Sequence, residues 1–146
     1  MNERRTPQRL LRGVVAAVAM ITLLAGCLSP EQDTALNALN KDRQTYGLST
    51  LKTNMALQNK AQAWAERLAR ENRLFHSNLT SGAPACWRGL GENVGYGGSI
   101  GQVQSAYMQS PKHKANITNG SYTSVGVGVA TNGSRVFTVQ VFMSGC

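Results

Sequence analysis

The sequence predicts an α+β domain with its helices first and its strands last, and three observations carry that expectation. Apolar residues recur at three- and four-residue intervals through Leu36 and Leu39, through Leu57, Ala61, Trp64, Ala65 and Leu68, and through Ile100, Val103 and Tyr107, as they do on the buried stripe of a helix. The tail instead alternates: Val125, Val127 and Val129 are separated by Gly126 and Gly128, the pattern of a half-buried strand. Thr131-Asn132-Gly133-Ser134 then reads as a hairpin turn, with Val136 to Phe142 returning as the partner strand. A chain of 146 residues with 42% apolar and 15% charged content suits one domain with an ordinary core.

The front end is set aside first. Arg4, Arg5, Arg9 and Arg12 form a basic region, followed by an uncharged, largely apolar run from Gly13 to Gly26. Its fourteen residues would rise about 21 Å as a helix, short of a hydrocarbon core of about 30 Å, which favours an export signal over a permanent span. The residues after Arg4-Arg5 do not support twin-arginine export, so ordinary secretion is expected. Leu24-Ala25-Gly26-Cys27 resembles the bacterial lipobox, in which the cysteine thiol receives a diacylglyceryl group and becomes the new N-terminus. The alternative is a chance cysteine after a small-residue cleavage site. On the lipobox reading, residues 1–26 are the leader, 27–30 a lipidated tether and 31–146 the domain. The partner is then a bilayer, held through acyl chains that contribute about 0.8 kcal/mol per buried CH₂.

Losing the leader removes four arginines and one glutamate, which lowers the net charge from +8 to +5. The remaining cations are scattered apart from Lys112 and Lys114, and no basic run is interleaved with aromatics. That argues against nucleic acid as a partner and leaves a moderate attraction to anionic lipid or wall polymer. The chain is expected to act as a monomer. With Cys27 acylated, Cys86 and Cys146 remain, and export into an oxidising compartment makes a disulfide between them the default. Such a bond would close a loop of about 60 residues and stabilise by about 4 kcal/mol in the chain-entropy model.

In chain order, Ser29-Pro30-Glu31 supplies a capping hydroxyl, a first-turn proline and an acid for the first helix, and Tyr46-Gly47 stops it. Asn54 caps a longer second helix ending near Asn72, with Lys60, Glu66, Arg67 and Arg70 on its wet side and Trp64 in the core. Residues 78 to 88 read as loop. A third helix follows Gly97-Gly98, and Ser110-Pro111 reads as a cap and first-turn proline for a short fourth.

The centre of the chain is Gly89-Leu90-Gly91-Glu92-Asn93-Val94-Gly95. Glycines around a single carboxylate let the backbone bend and let other groups come close. His76 and His113, the only histidines, flank Glu92 in sequence, and the fold is expected to bring all three together. Two neutral imidazoles and a carboxylate would make a three-ligand shell suited to zinc with one open position. His113, near a helix N-terminus and between two lysines, should be held neutral. A buried hydrogen-bond network that only fastens the sheet to its helices would look the same in sequence. A zinc hydrolase needs a further carboxylate as base, and none is in view.

These pieces together resemble a known family. Leu36-Asn37-Ala38-Leu39-Asn40-Lys41-Asp42-Arg43, Ala61-Gln62-Ala63-Trp64-Ala65, Phe75-His76-Ser77, Gly91-Glu92-Asn93-Val94, the segment from Ser110 to Ile117, Val125 to Ala130 and Val139-Gln140-Val141-Phe142 follow in order. They resemble the CAP (SCP-like) domain of cysteine-rich secretory proteins, venom allergens and plant pathogenesis-related proteins, in its compact bacterial form. The resemblance covers Glu31 to Phe142. It implies a three-layer α–β–α sandwich with a central antiparallel sheet, and a cavity floored by two histidines and one or two glutamates that holds a divalent metal in some members. His76, Glu92 and His113 map onto three of those positions, with Asn93, Asn116 and Gln140 as cavity support. The position of a second glutamate is Pro111 here, Lys112 stands in a glycine position, Tyr107 where many relatives have Trp, and Val139 where many have Thr. The resemblance implies an envelope binding module for a divalent metal, zinc first, or for a small lipid or envelope polymer. A metal-dependent hydrolase is the alternative.

Overall fold

The computed structural model describes residues 27–146, so the leader read at 1–26 lies outside the described residues. Ser29 opens α1 (Pro30–Thr45) with a capping box: its hydroxyl accepts from the Gln32 N–H, and the Gln32 side chain accepts from the Ser29 N–H at 2.8 Å. The helix closes at Tyr46, ahead of Gly47 at φ 69°. After β1 (Lys52–Thr53), the Asn54 side chain accepts from the Ala56 and Leu57 N–H groups to start α2 (Met55–Glu71), which ends on Asn72 in the left-handed region. Ser99 caps α3 (Ile100–Gln109) in the same way. α4 (Pro111–Ile117) has its first-turn proline, but the Ser110 hydroxyl makes no capping bond, contrary to expectation.

The sheet runs β1-β3-β4-β2, built from β2 (Trp87–Gly97), β3 (Ser124–Asn132) and β4 (Arg135–Gly145). The three long strands are antiparallel, whereas β1 joins β3 in parallel over two residue pairs, so the sheet is mixed at that margin. Helices cover both faces, giving the α–β–α sandwich. Phe137, Val139, Val141 and Met143 of β4 pack with Leu57, Ala61, Ala65 and Leu68 of α2, while Phe142 and the β3 valines pack on the other face with Leu39, Val103, Tyr107 and Ile117.

Two glycines set the distance between α2 and the sheet. A Cβ on Gly126 would lie 2.1 Å from the Leu57 carbonyl carbon, and one on Gly128 2.1 Å from the Ala61 carbonyl oxygen. The helix backbone therefore rests directly on β3. This closeness also covers the strand edge that β1 leaves open. The Gln58 side chain donates to the Val127 carbonyl at 2.7 Å and accepts from its N–H at 2.9 Å; Gln62 does the same for Val129 at 3.0 Å each way. Two glutamines one helical turn apart thus stand in for a missing neighbouring strand. Cys86 and Cys146 are joined, with their Cα atoms 5.2 Å apart, pinning the end of β4 beside the start of β2.

Candidate functional site

Glu92 lies in β2, a margin strand of the sheet, where it pairs with Val141, and Asn93 pairs with Gln140. Side chains alternate along a strand, so Glu92 projects on the α2 face and Asn93 on the face covered by α1, α3 and α4. The Glu92 side chain is 1% exposed. Its Oε1 accepts from the Ser77 N–H at 2.9 Å and from His76 Nδ1 at 2.7 Å, and its Oε2 accepts from the Ser77 hydroxyl at 2.5 Å. An oxygen already accepting from a backbone N–H calls for the imidazole to donate as well, so Nδ1 carries a proton and Nε2 faces outward. The His76 side chain is 63% exposed. Glu92 thus clasps the segment that leaves α2 to the edge of the sheet.

His113 belongs to α4 and reaches this region from the opposite face, its ring 5.0 Å from that of Tyr107. Burial, and then the charge of His76, hold its pKa below the ordinary imidazole value of 6.5. The expected neutral His113 therefore has causes other than the helix terminus and the flanking lysines. The two imidazoles sense each other around the strand edge, but the three side chains do not form one ligand shell. Among the described residues, no three His, Cys, Asp or Glu side chains are gathered to hold a metal ion. Both oxygens of Glu92 are committed to donors, so the residues present do not fit a three-ligand zinc centre with Glu92 as ligand. The strand period contributes to this: it puts Glu92 on the α2 face of β2, while α4, which carries His113, packs on the other face.

The supporting residues Asn93, Asn116 and Gln140 form a buried relay. Asn116 donates to the Glu92 carbonyl at 3.3 Å and to Asn93 Oδ1 at 2.9 Å; Asn93 donates to the His113 carbonyl at 3.1 Å and to Gln140 Oε1 at 3.0 Å. Gln140 donates to Gln104, and Gln104 to Asp42, each at 2.7 Å. Asn116 opens the row as a donor, and Asn93, Gln140 and Gln104 each accept from one neighbour and donate to the next, so the row crosses the core as a continuous chain of amides. Beside it, the Tyr107 hydroxyl bonds Thr138, and burial pushes its pKa well above the usual phenol range. Gln104 had no sequence signal beyond its place on an amphipathic helix.

On the α2 side a cleft of about 730 Å³ opens between α2 and residues 77–82, bordered by Ala56, Lys60, Ala63, Trp64, Arg67 and Arg70, with Ser77 as its link to the Glu92 clasp. Lys60, expected on the wet side of the helix, turns inward and donates to the carbonyls of Asn78 at 2.6 Å and Ser81 at 2.8 Å. Burial lowers its pKa, with the Glu92 charge opposing. Trp64, expected in the core, is half-buried on the cleft wall and donates to the Phe75 carbonyl at 2.9 Å, while Arg67 stacks 5.0 Å above its ring. Among the described residues, no acid lines the cleft.

Comparison with known proteins places this architecture. The uncharacterized protein YkwD of Bacillus subtilis is 31% identical over 104 residues, 65% of this chain, which spans only 40% of that relative's length. An outer surface protein of Borrelia burgdorferi has the same fold at 17% identity, with a TM-score of 0.71 over 80% of this chain and 93% of that one. An extracellular SCP-domain protein of Bacillus anthracis matches with a TM-score of 0.67 at 21% identity, over 82% of this chain and 45% of that one. The model of the cysteine-rich secretory protein family matches residues 36–142, and the chain belongs to that family, the CAP family.

Proposed function

We propose that this protein is an exported, envelope-associated CAP-domain binding module, tethered to a membrane through lipidated Cys27, whose α2-side cleft takes an anionic amphiphile. The observation that carries the reading is the use made of Glu92. Its carboxylate is spent on holding Ser77 and His76 in place beside a cleft, and among the described residues no further carboxylate lines that cleft as a separate base. The Ser77 hydroxyl gives its proton to Glu92 and not to an imidazole, the reverse of what an activated serine requires. The cleft wall of Ala56, Ala63 and Trp64 suits an acyl chain, and Lys60, Arg67 and Arg70 suit an acid head group. The extracellular and outer-surface descriptions of the Bacillus anthracis and Borrelia relatives favour export. A zinc ion, if taken, would be held by His76 through Nε2 and by His113, with Glu92 behind His76 as its orienting partner. The hydrolase alternative finds no separate base in this set.

Two experiments test the reading. With Trp87→Phe, Trp64 is the only tryptophan left, and its emission should change saturably on titration with a long-chain fatty acid kept below its micelle concentration. Arg70→Glu should weaken that affinity about tenfold, the loss of about 1.4 kcal/mol from one reversed charge contact. A flat titration, or saturation only by a soluble acidic glycan, would reject the amphiphile. Cys27→Ala should leave the protein out of the membrane fraction; membrane recovery equal to that of the parent would reject the lipid anchor.

A further inference from the structure

A second site is built around Arg43, far from the Glu92 clasp in lining and chemistry. Arg43 sits in the last turn of α1 and is 1% exposed. Its Nε donates to the Ser49 carbonyl at 2.9 Å, and its Nη1 to the carbonyls of Ile117 at 2.7 Å and Asn119 at 2.9 Å. These bonds fasten the α1–β1 connector and the end of α4 around one guanidinium. Fastening leaves part of the group unused. A guanidinium has five N–H donors and keeps its charge in proteins, and among the described residues no carboxylate pairs with Arg43. Its Nη2 takes no part in the hydrogen bonds of the described residues. Nor is Nη2 sealed in: the one side-chain polar atom among the described residues that is both sealed and unpartnered is Ser124 Oγ.

Arg43 borders a pocket of about 510 Å³ that is also lined by Ser49, Thr50, Lys52, Tyr122 and Thr123. Among the described residues, none that lines it is acidic. Lys52 adds a second cation, and Ser49, Thr50, Thr123 and Tyr122 add hydroxyl groups. A charge taken out of water without a counter-charge is costly, and burial already lowers the pKa of Arg43. Arginine does not escape that cost by releasing its proton; the three carbonyls offset part of it, and an anion entering through the pocket would offset more. With Nε and Nη1 spent on carbonyls, Nη2 offers single charge-assisted N–H bonds to an oxyanion and not the two-nitrogen fork.

We infer that this pocket binds a phosphate group, held by the free Nη2 edge of Arg43 with Lys52 closing the mouth. The group comes from free phosphate or from a phosphate-bearing head group, and the two sources are separable. In ¹⁵N-labelled protein at constant ionic strength, added inorganic phosphate should shift the amides of residues 47–52 and 120–123 saturably, and chloride at the same concentration should not. Lys52 is exposed and lies outside the Arg43 bonds, so Lys52→Glu should weaken phosphate at least about tenfold with an unchanged melting temperature. Arg43→Lys, read only where its spectrum keeps the parent's dispersion, should lose saturation. Phosphatidylglycerol vesicles that reproduce the shifts assign the site to a lipid head group, and phosphate acting alone assigns it to a soluble anion. Diffuse shifts without saturation, or an unchanged response in Lys52→Glu, would overturn the inference.

Discussion

Replacing Glu92 by glutamine separates a clasp from a reactive carboxylate. The amide oxygen can keep the two bonds made by Oε1, from the Ser77 N–H and His76 Nδ1. The amide NH₂ takes the place of Oε2, and the Ser77 hydroxyl must turn to accept from it. What is lost is charge assistance: bonds to an ionised group contribute about 1.5–3 kcal/mol and neutral ones about 0.5–1.5. The His76 share is discounted because that ring is 63% exposed and screened by water, so the Ser77 pair decides. The net cost comes to about 1–2 kcal/mol, a fall in melting temperature of about 4–8 °C for a domain of this size. Glu92→Ala leaves the Ser77 N–H and hydroxyl with no acceptor and should cost about 3–5 kcal/mol. Thermal and urea melts read both, and amide exchange should show the Ser77 N–H losing protection before the body of α2 does. A Glu92→Gln protein melting within about 1 °C of the parent would refute the clasp.

Further outcomes follow from the same structure. Because His113 has a folded pKa below its ordinary 6.5, the unfolded chain binds its proton first. Stability should therefore fall as pH drops from about 6.5 through the lower folded value, and His113→Gln should remove that part of the pH dependence in urea melts; an unchanged profile would contradict it. Gly128→Ala drives a Cβ against the Ala61 carbonyl and should cost about 2–3 kcal/mol, read as a lower urea midpoint; a neutral result would mean that α2 can slide. Replacing Cys86 and Cys146 together by alanine opens a closure of 60 residues and should cost up to about 4 kcal/mol, with non-reduced peptide mass spectrometry confirming the bond in the parent.

Much of the fold was legible because it rests on local chemistry. Ser29, Asn54, Asn72, the turn at Gly133 and the alternating valines act over a few residues, and the structure keeps them. The caps and periodicities need no long-range partner to be read. The site was legible as a set of residues, not as a geometry. Sequence spacing brought His76 and Glu92 together, but whether His113 joined them depended on which face of β2 each neighbour occupies, and a shift of one residue in register reverses that. Gln58 and Gln62 look like ordinary polar positions on α2, and their role as a substitute strand edge follows only from the closeness allowed by Gly126 and Gly128. Lys60 turns inward because the loop at 78–81 offers it carbonyls, which helical periodicity does not encode. The unspent edge of Arg43 likewise emerges only when its acceptors are counted in three dimensions.

What Glu92 does is decisive for the function, and the tautomer of His76 reports it. In ¹⁵N-labelled protein at about pH 8, above the ordinary imidazole range, long-range proton–nitrogen correlations distinguish a protonated Nδ1 from a protonated Nε2. The clasp predicts the proton on Nδ1, bonded to Glu92, and predicts that it stays there when Zn²⁺ is added, any change being confined to Nε2. A proton on Nε2, or loss of the Nδ1 proton on adding Zn²⁺, would mean that Nδ1 does not donate to Glu92 and would contradict the clasp.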